Sequence, residues 1–149
     1  MTEHRASVEW RASGRFRDDR YSRAHALRFD GGAELRGSSS PAVVPEPMSD
    51  PAGVDPEEML VASAAACHML WFLGLAREGG FDVASYSDEA VGTMGRLEGR
   101  VAITRIVLRP KVEFTGTGPD SAGLAAIHHA AHERCFIANS LKTEITVEG

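Results

Sequence analysis

Eighteen consecutive positions, Met59 to Ala76, carry no Asp, Glu, Lys or Arg, and only Ser63, Cys67, His68 and Gly74 break their apolar character. That length sits at the threshold for a membrane span. Five of the residues are alanines, however, and the flanking chain has ordinary amphipathic patterning, so the run is expected to form the core helix of a soluble protein, buried on all sides. No membrane association is expected. Asp55-Pro56-Glu57-Glu58 marks the helix start: Asp55 is a good N-cap, Pro56 suits the first helical position, and Glu58 completes a capping box. Gly79-Gly80 provides the stop, which places the helix at 55–78.

The rest of the chain is organised around this helix. From Ser7 to Phe16 and again from Ala24 to Phe29, apolar and polar residues alternate about the turn-forming Arg17-Asp18-Asp19-Arg20, and Gly31-Gly32 leads into a short strand through Leu35. An N-terminal hairpin over about 5–37 follows from that pattern. Residues 38–54 hold four prolines and four serines and read as an extended loop. Val83–Met94 and Val101–Phe114 read as two long strands, with Pro110 forcing a bend or an edge position in the second. Leu124, Ile127, His128, Ala131 and Cys135 recur on one face of a helix over 120–135, and 141–148 alternates as a final strand. The order predicts one α+β domain over 1–149, with antiparallel strands around a long buried helix.

Composition limits the function classes. The net charge is -5, which argues against a nucleic-acid partner. Fourteen of the 16 basic residues are Arg, and eight of these lie in the first 36 residues, giving that segment +2 against -7 for the remainder. The first ten residues lack the apolar stretch of a signal peptide, so a cytoplasmic location is expected. In a reducing compartment the two cysteines, Cys67 and Cys135, are either inert core thiols or a reactive pair. Cys67 lies three turns into its helix, beyond the reach of the helix dipole, so a reactive thiolate there needs a nearby cation.

The stretch VDPEEMLVASAAACHML resembles the signature of the OsmC/Ohr family of osmotically inducible and organic hydroperoxide resistance proteins, and ERCFIANSLKTEITVEG is similar to the family's second signature. The resemblance covers nearly the whole chain. It implies an OsmC-like fold, an intertwined homodimer, and a thiol peroxidase that needs no cofactor. In that scheme Cys67 attacks a hydroperoxide, Cys135 resolves the sulfenic acid as a disulfide, and an external thiol or dithiol reduces it, while the apolar side chains of Met69, Leu70 and Phe72 around the site favour an organic substrate. Glu57 occupies the family's carboxylate position, while the bland reading makes it a helix-start acid favoured by the dipole. In the Ohr branch the activating arginine stands in an Arg-Asp-Gly-Arg context similar to 17–20 here, which puts Arg17 first and Arg20 second. The OsmC branch takes its arginine from the loop before the helix, and this chain has none between Arg36 and Arg77. That departure keeps open an alternative, an OsmC-fold thiol sensor or binding protein with weak peroxidase activity.

Histidines add further candidates. His68 follows the reactive cysteine directly, and His128 lies on the helical face of Cys135, where it can tune that thiol. His128 and His132 have metal-ligand spacing, but HHAAHE is not the zinc-protease HExxH, so no metal is expected. Trp71, Phe72 and Phe136 are core aromatics by default, and near the cysteines they can also line an apolar pocket, as can Met69 and Leu70. Glu57 and Cys67 are ten residues apart on one helix, about 15 Å along the axis and about 80° around it. If the arrangement of thiolate, arginine and carboxylate that the resemblance implies holds, Glu57 therefore serves the cysteine of the other subunit.

Overall fold

A computed structural model describes residues 2–148, which form two compact units, one ending at Met59 and the other beginning at Leu60. The first holds an antiparallel sheet of β1 (Ala6–Glu9), β2 (His25–Phe29) and β3 (Glu34–Gly37), in that spatial order. Leu27 is its one deeply buried large apolar side chain among the described residues, whereas Val8 and Leu35, which pair with it, remain exposed. The first predicted strand is shorter than expected. It ends at Glu9, and Phe16–Asp18 forms a 3-10 turn closed by Asp19 at positive φ. Between β1 and β2 the rings of Trp10, Phe16 and Tyr21 pack together, and the Arg23 guanidinium stacks on Tyr21 at 3.6 Å. The 38–54 loop is tied at its ends by backbone hydrogen bonds of Val54 with Ser38 and Arg36, and by Ser38 Oγ accepting from the Asp50 N–H.

Helix α1 (Pro56–Glu78) starts and stops as its sequence dictates. Asp55 Oδ1 accepts from the Glu58 N–H at 2.7 Å and Glu58 Oε1 from the Asp55 N–H at 3.1 Å, a reciprocal capping box. At the other end Gly80 takes φ +83°, while the Phe81 N–H reaches Ala76 and the Gly80 N–H reaches Arg77, the double closure of a Schellman motif. The expectation of burial on all sides is corrected. Only Ala64, His68, Phe72 and Ala76 are buried, a single stripe of spacing four, whereas Ala62, Ala66, Leu70 and Gly74 are exposed. By length and composition α1 is apolar enough to cross a membrane, but that stripe lies within the protein core, which marks it as a core helix.

In the second unit each long predicted strand is split. The elements are β4 (Asp82–Asp88), β5 (Val91–Leu97), β6 (Arg100–Leu108) and β7 (Pro110–Thr115), with β4 paired to β7 and β5 to β6. The break falls where Pro110 lacks a donor and the Asp88 carboxylate accepts the Arg109 N–H at 2.7 Å in place of a ladder bond. Helix α2 (Ser121–Arg134) is capped by Asp120, and a further short helix α3 (Phe136–Ser140), absent from the sequence reading, precedes β8 (Glu144–Val147). Strand β8 pairs parallel to β6, whereas the other strand pairs among the described residues are antiparallel. The core has two centres: Ala64 with Ile106, Leu108 and Ile145, and Phe72 with Ala76 and Ala131. Gly92 on β5 permits close approach to α1, because a Cβ there would meet Val61 at 2.6 Å.

Candidate thiol site

Cys67 stands on α1 half-buried, and Cys135 is 2% exposed at the junction of α2 and α3. That junction exists because Cys135 leaves helical geometry, with φ -65° and ψ 112°, so that its sulfur caps α3 by accepting from the Ala138 N–H at 3.4 Å. Both thiols are free, and Cys67 lies near enough to Cys135 to act on its ionisation. Burial pushes the Cys135 thiol above its ordinary value; the Ala138 N–H pulls it back, and contact with Cys67 raises it further. Cys135 is thereby held protonated at neutral pH.

The aromatic residues separate into distinct roles. Trp71, one turn beyond Cys67, meets Phe136 edge-on at a centroid distance of 5.4 Å, so these two rings form an apolar wall beside the cysteine-bearing segments. Phe136 is 67% exposed, which corrects its default placement in the core, whereas Phe72 is fully buried against His128 and Tyr86. Met69, Leu70 and Phe72 do not form one surface, since Phe72 faces the core and Leu70 is exposed. Sequence reasoning missed Arg134, whose guanidinium carbon lies 5.8 Å from the Trp71 ring centre. Its only sequence signal was a cation directly before Cys135.

Histidine packing is closer than its spacing suggested. His68 is 1% exposed, and its Nε2 lies 3.0 Å from His128 Nδ1, with the rings within 6° of parallel. Burial, with His128 and His132 nearby, pushes His68 down to about 4, and burial also lowers His128. Among the described residues no group of three or more His, Cys, Asp or Glu side chains is arranged to hold a metal.

The remaining candidates lie in the first unit. Arg17 and Arg20 sit exposed on and just after the 3-10 turn, and among the described residues neither forms an ion pair, whereas Arg15 and Arg23 are held by Asp18 and Asp19. Glu57 is half-buried in the first turn of α1.

The family described as OsmC-like protein matches residues 49–148, which include α1 with Cys67 and the α2–α3 junction with Cys135. The chain belongs to the OsmC-like family. Peroxiredoxin OsmC of Escherichia coli strain K12 is 30% identical over 96 residues, an alignment spanning 64% of this chain and 66% of that protein, just under two thirds of it. An OsmC-like protein of unknown function from Vibrio cholerae is 49% identical, with a TM-score of 0.96 and 99% coverage of both chains. The Legionella pneumophila organic hydroperoxide resistance protein OsmC is 16% identical with a TM-score of 0.66 over the full length of both chains, a likeness of fold alone.

Proposed function

We propose that this single-domain OsmC-like protein is a cytoplasmic, cofactor-free thiol peroxidase that reduces organic hydroperoxides. The observation that carries the reading is the nearness of a half-buried, free Cys67 to a buried, free Cys135 whose thiol is pushed up. Cys67, as thiolate, attacks the terminal peroxide oxygen; the O–O bond breaks, an alcohol leaves after protonation, and Cys67 becomes a sulfenic acid. Cys135 then attacks the Cys67 sulfur, the S–O bond breaks, water departs, and the disulfide is reopened by an external thiol or dithiol. A protonated Cys135 competes poorly for peroxide, which assigns the first attack to Cys67. The Trp71–Phe136 wall favours an organic substituent on the peroxide.

In this reading Arg17, with Arg20 as its substitute, supplies the positive charge at Cys67, and Glu57 orients it. The exposed apolar stripe Ala62, Ala66, Leu70 and Gly74 is the surface over which two α1 helices pack in a homodimer. The name of the E. coli relative supports the activity. The test is peroxide consumption with a dithiol reductant. Cys67→Ser is expected to abolish it, and Cys135→Ser to permit one oxidation per chain and then stall. Equal residual activity in the two variants refutes the assignment.

A further inference from the structure

Three of the four buried residues on the α1 stripe are apolar, and the fourth is His68. A buried imidazole needs a hydrogen-bonding partner, and His68 has one, His128 Nδ1 at 3.0 Å from its Nε2. Its own Nδ1 is buried without a partner. These two facts fix the proton. If His128 donated, the His68 N–H would lie on Nδ1 with nothing to accept it; if His68 Nε2 donates, Nδ1 is only a bare lone pair, the cheaper state. The neutral pair is therefore His68 Nε2–H to His128 Nδ1, with the single ring proton of His128 on its Nε2. An additional proton has only His68 Nδ1 to occupy, where its N–H would be orphaned, unless the bond between the rings breaks.

Among the described residues no carboxylate acts on His68 as a counter-charge for such a proton; the Asp88 carboxylate acts on Tyr86 instead. His132 joins His128 on α2; Tyr86 of β4 lies across Phe72; Cys67 stands next to His68 and Cys135 ends α2. The Glu133 carboxylate pairs with His129 in an exposed contact. Strand β8 faces the α2 histidines with Ile145, Thr146 and Val147 across an open cavity of about 360 Å³ that His128 helps to line. Burial and the neighbouring imidazoles hold His68 down to about 4, in keeping with a site built for the neutral form.

The pair joins two elements that matter to the thiols. His68 is the residue after Cys67, and α2, which carries His128, ends at Cys135, whose N–H bonds to the His132 carbonyl at 3.3 Å. We propose that His68 and His128 form a proton-sensitive positioning latch, which holds Cys135 against Cys67 for disulfide formation while neutral and frees α2 on taking up a proton. The proposal rests on the reading of Cys67 and Cys135 as a disulfide-forming pair. In the latched state Cys135 closes on the Cys67 sulfenic acid with loss of water. In the released state that sulfenic acid persists and a second peroxide takes it to the sulfinic acid.

The test uses diamide, which forms disulfides from thiols without any peroxide chemistry. Rates of intramolecular disulfide formation are compared between wild type and a double variant, His68→Leu with His128→Leu, so that the ordinary loss of thiolate at low pH cancels in the ratio. The wild-type to variant ratio is expected to fall by on the order of tenfold from pH 7.5 to pH 5, given an imidazole that titrates near 6.5 when released and near 4 when latched. A ratio changing by less than twofold overturns the latch. Ring nitrogen NMR of wild type needs no variant: His68 is expected to carry its single proton on Nε2 at pH 7.5 and to gain a second on Nδ1 as the latch opens toward pH 5, and a proton on Nδ1 alone at pH 7.5, or a pair still neutral at pH 5, overturns the proposal as well. If Cys67 fails to consume peroxide while the diamide ratio falls as expected, the peroxidase reading fails and the latch stands. A flat ratio in a working peroxidase removes the latch alone.

Discussion

Phe72 and Leu70 are two residues apart on α1 and belong to opposite sides of it, so truncating each in turn tests the one-stripe burial of this helix. Phe72 is fully buried, its ring 4.4 Å from that of His128 and 5.5 Å from that of Tyr86. Phe72→Ala removes that ring from a packed core and is expected to cost about 3–5 kcal/mol in unfolding free energy. Leu70 is 65% exposed, so only a third of the roughly 1.5–3 kcal/mol for burying a leucine is at stake, about 0.5–1 kcal/mol. Urea unfolding of both variants at low protein concentration measures the contrast. Raising the concentration then adds a second reading: if α1 packs against its copy through the Leu70 side, the cost of Leu70→Ala grows as wild type dimerises. Phe72→Ala carries an independent signature, because water entering beside His128 should raise the His68 midpoint from about 4 toward its ordinary value. Equal costs for the two variants at low concentration, or a cost below about 1 kcal/mol for Phe72→Ala, refute the one-stripe description.

The His68 environment also makes stability depend on pH. Its pKa is about 4 in the folded chain against 6.5 unfolded, so between those values the unfolded chain holds more protons; stability is full above 6.5, falls as pH drops and levels off near 4, by at most ~3 kcal/mol from this group. Urea midpoints from pH 7.5 to 4 should fall more steeply in wild type than in the His68→Leu, His128→Leu chain, and identical slopes refute this. At the start of α2, Asp120 Oδ1 accepts from the Gly123 N–H at 2.7 Å, so Asp120→Ala should cost ~1 kcal/mol in the same melts, and no change would show that the cap contributes nothing.

Features decided by local chemistry were legible in the sequence. Asp55 and Glu58 close the start of α1 and Gly79-Gly80 its end, because caps depend on a few neighbouring residues. The α2 face of Leu124, Ile127 and Ala131 was read from its period and does pack on the Phe72 cluster. Features decided by tertiary partners were not legible. Alanines at 62, 64, 65 and 66 look equivalent to a periodicity argument, which cannot say that only Ala64 is deeply buried. Parallel pairing of β8 with β6 depends on a crossover through α2 and α3, and α3 exists because Cys135 breaks one helix and caps the next. His128 was read as sharing a face with Cys135, but its partner, His68, lies 60 residues earlier, a contact no local pattern encodes.

Glu57 supplies the sharpest test of whether the proposed dimer takes part in the chemistry. Because α1 runs unbroken from Pro56 to Glu78, the ten residues between Glu57 and Cys67 amount to nearly three turns of one helix, about 15 Å along its axis. A carboxylate at that separation does not reach the thiol of its own chain. For Glu57 to orient the charge beside a cysteine, two α1 helices must cross antiparallel, each start near the middle of its partner. Mixing a Cys67→Ser chain with a Glu57→Ala chain then yields a heterodimer in which one of two sites keeps Cys67 from one subunit and Glu57 from the other. Peroxidase activity should recover to about half of wild type by this site count. Confirmed heterodimers with no more activity than the separate variants would leave Glu57 as a first-turn acid, worth roughly 0.3–1 kcal/mol to the helix and nothing to the reaction.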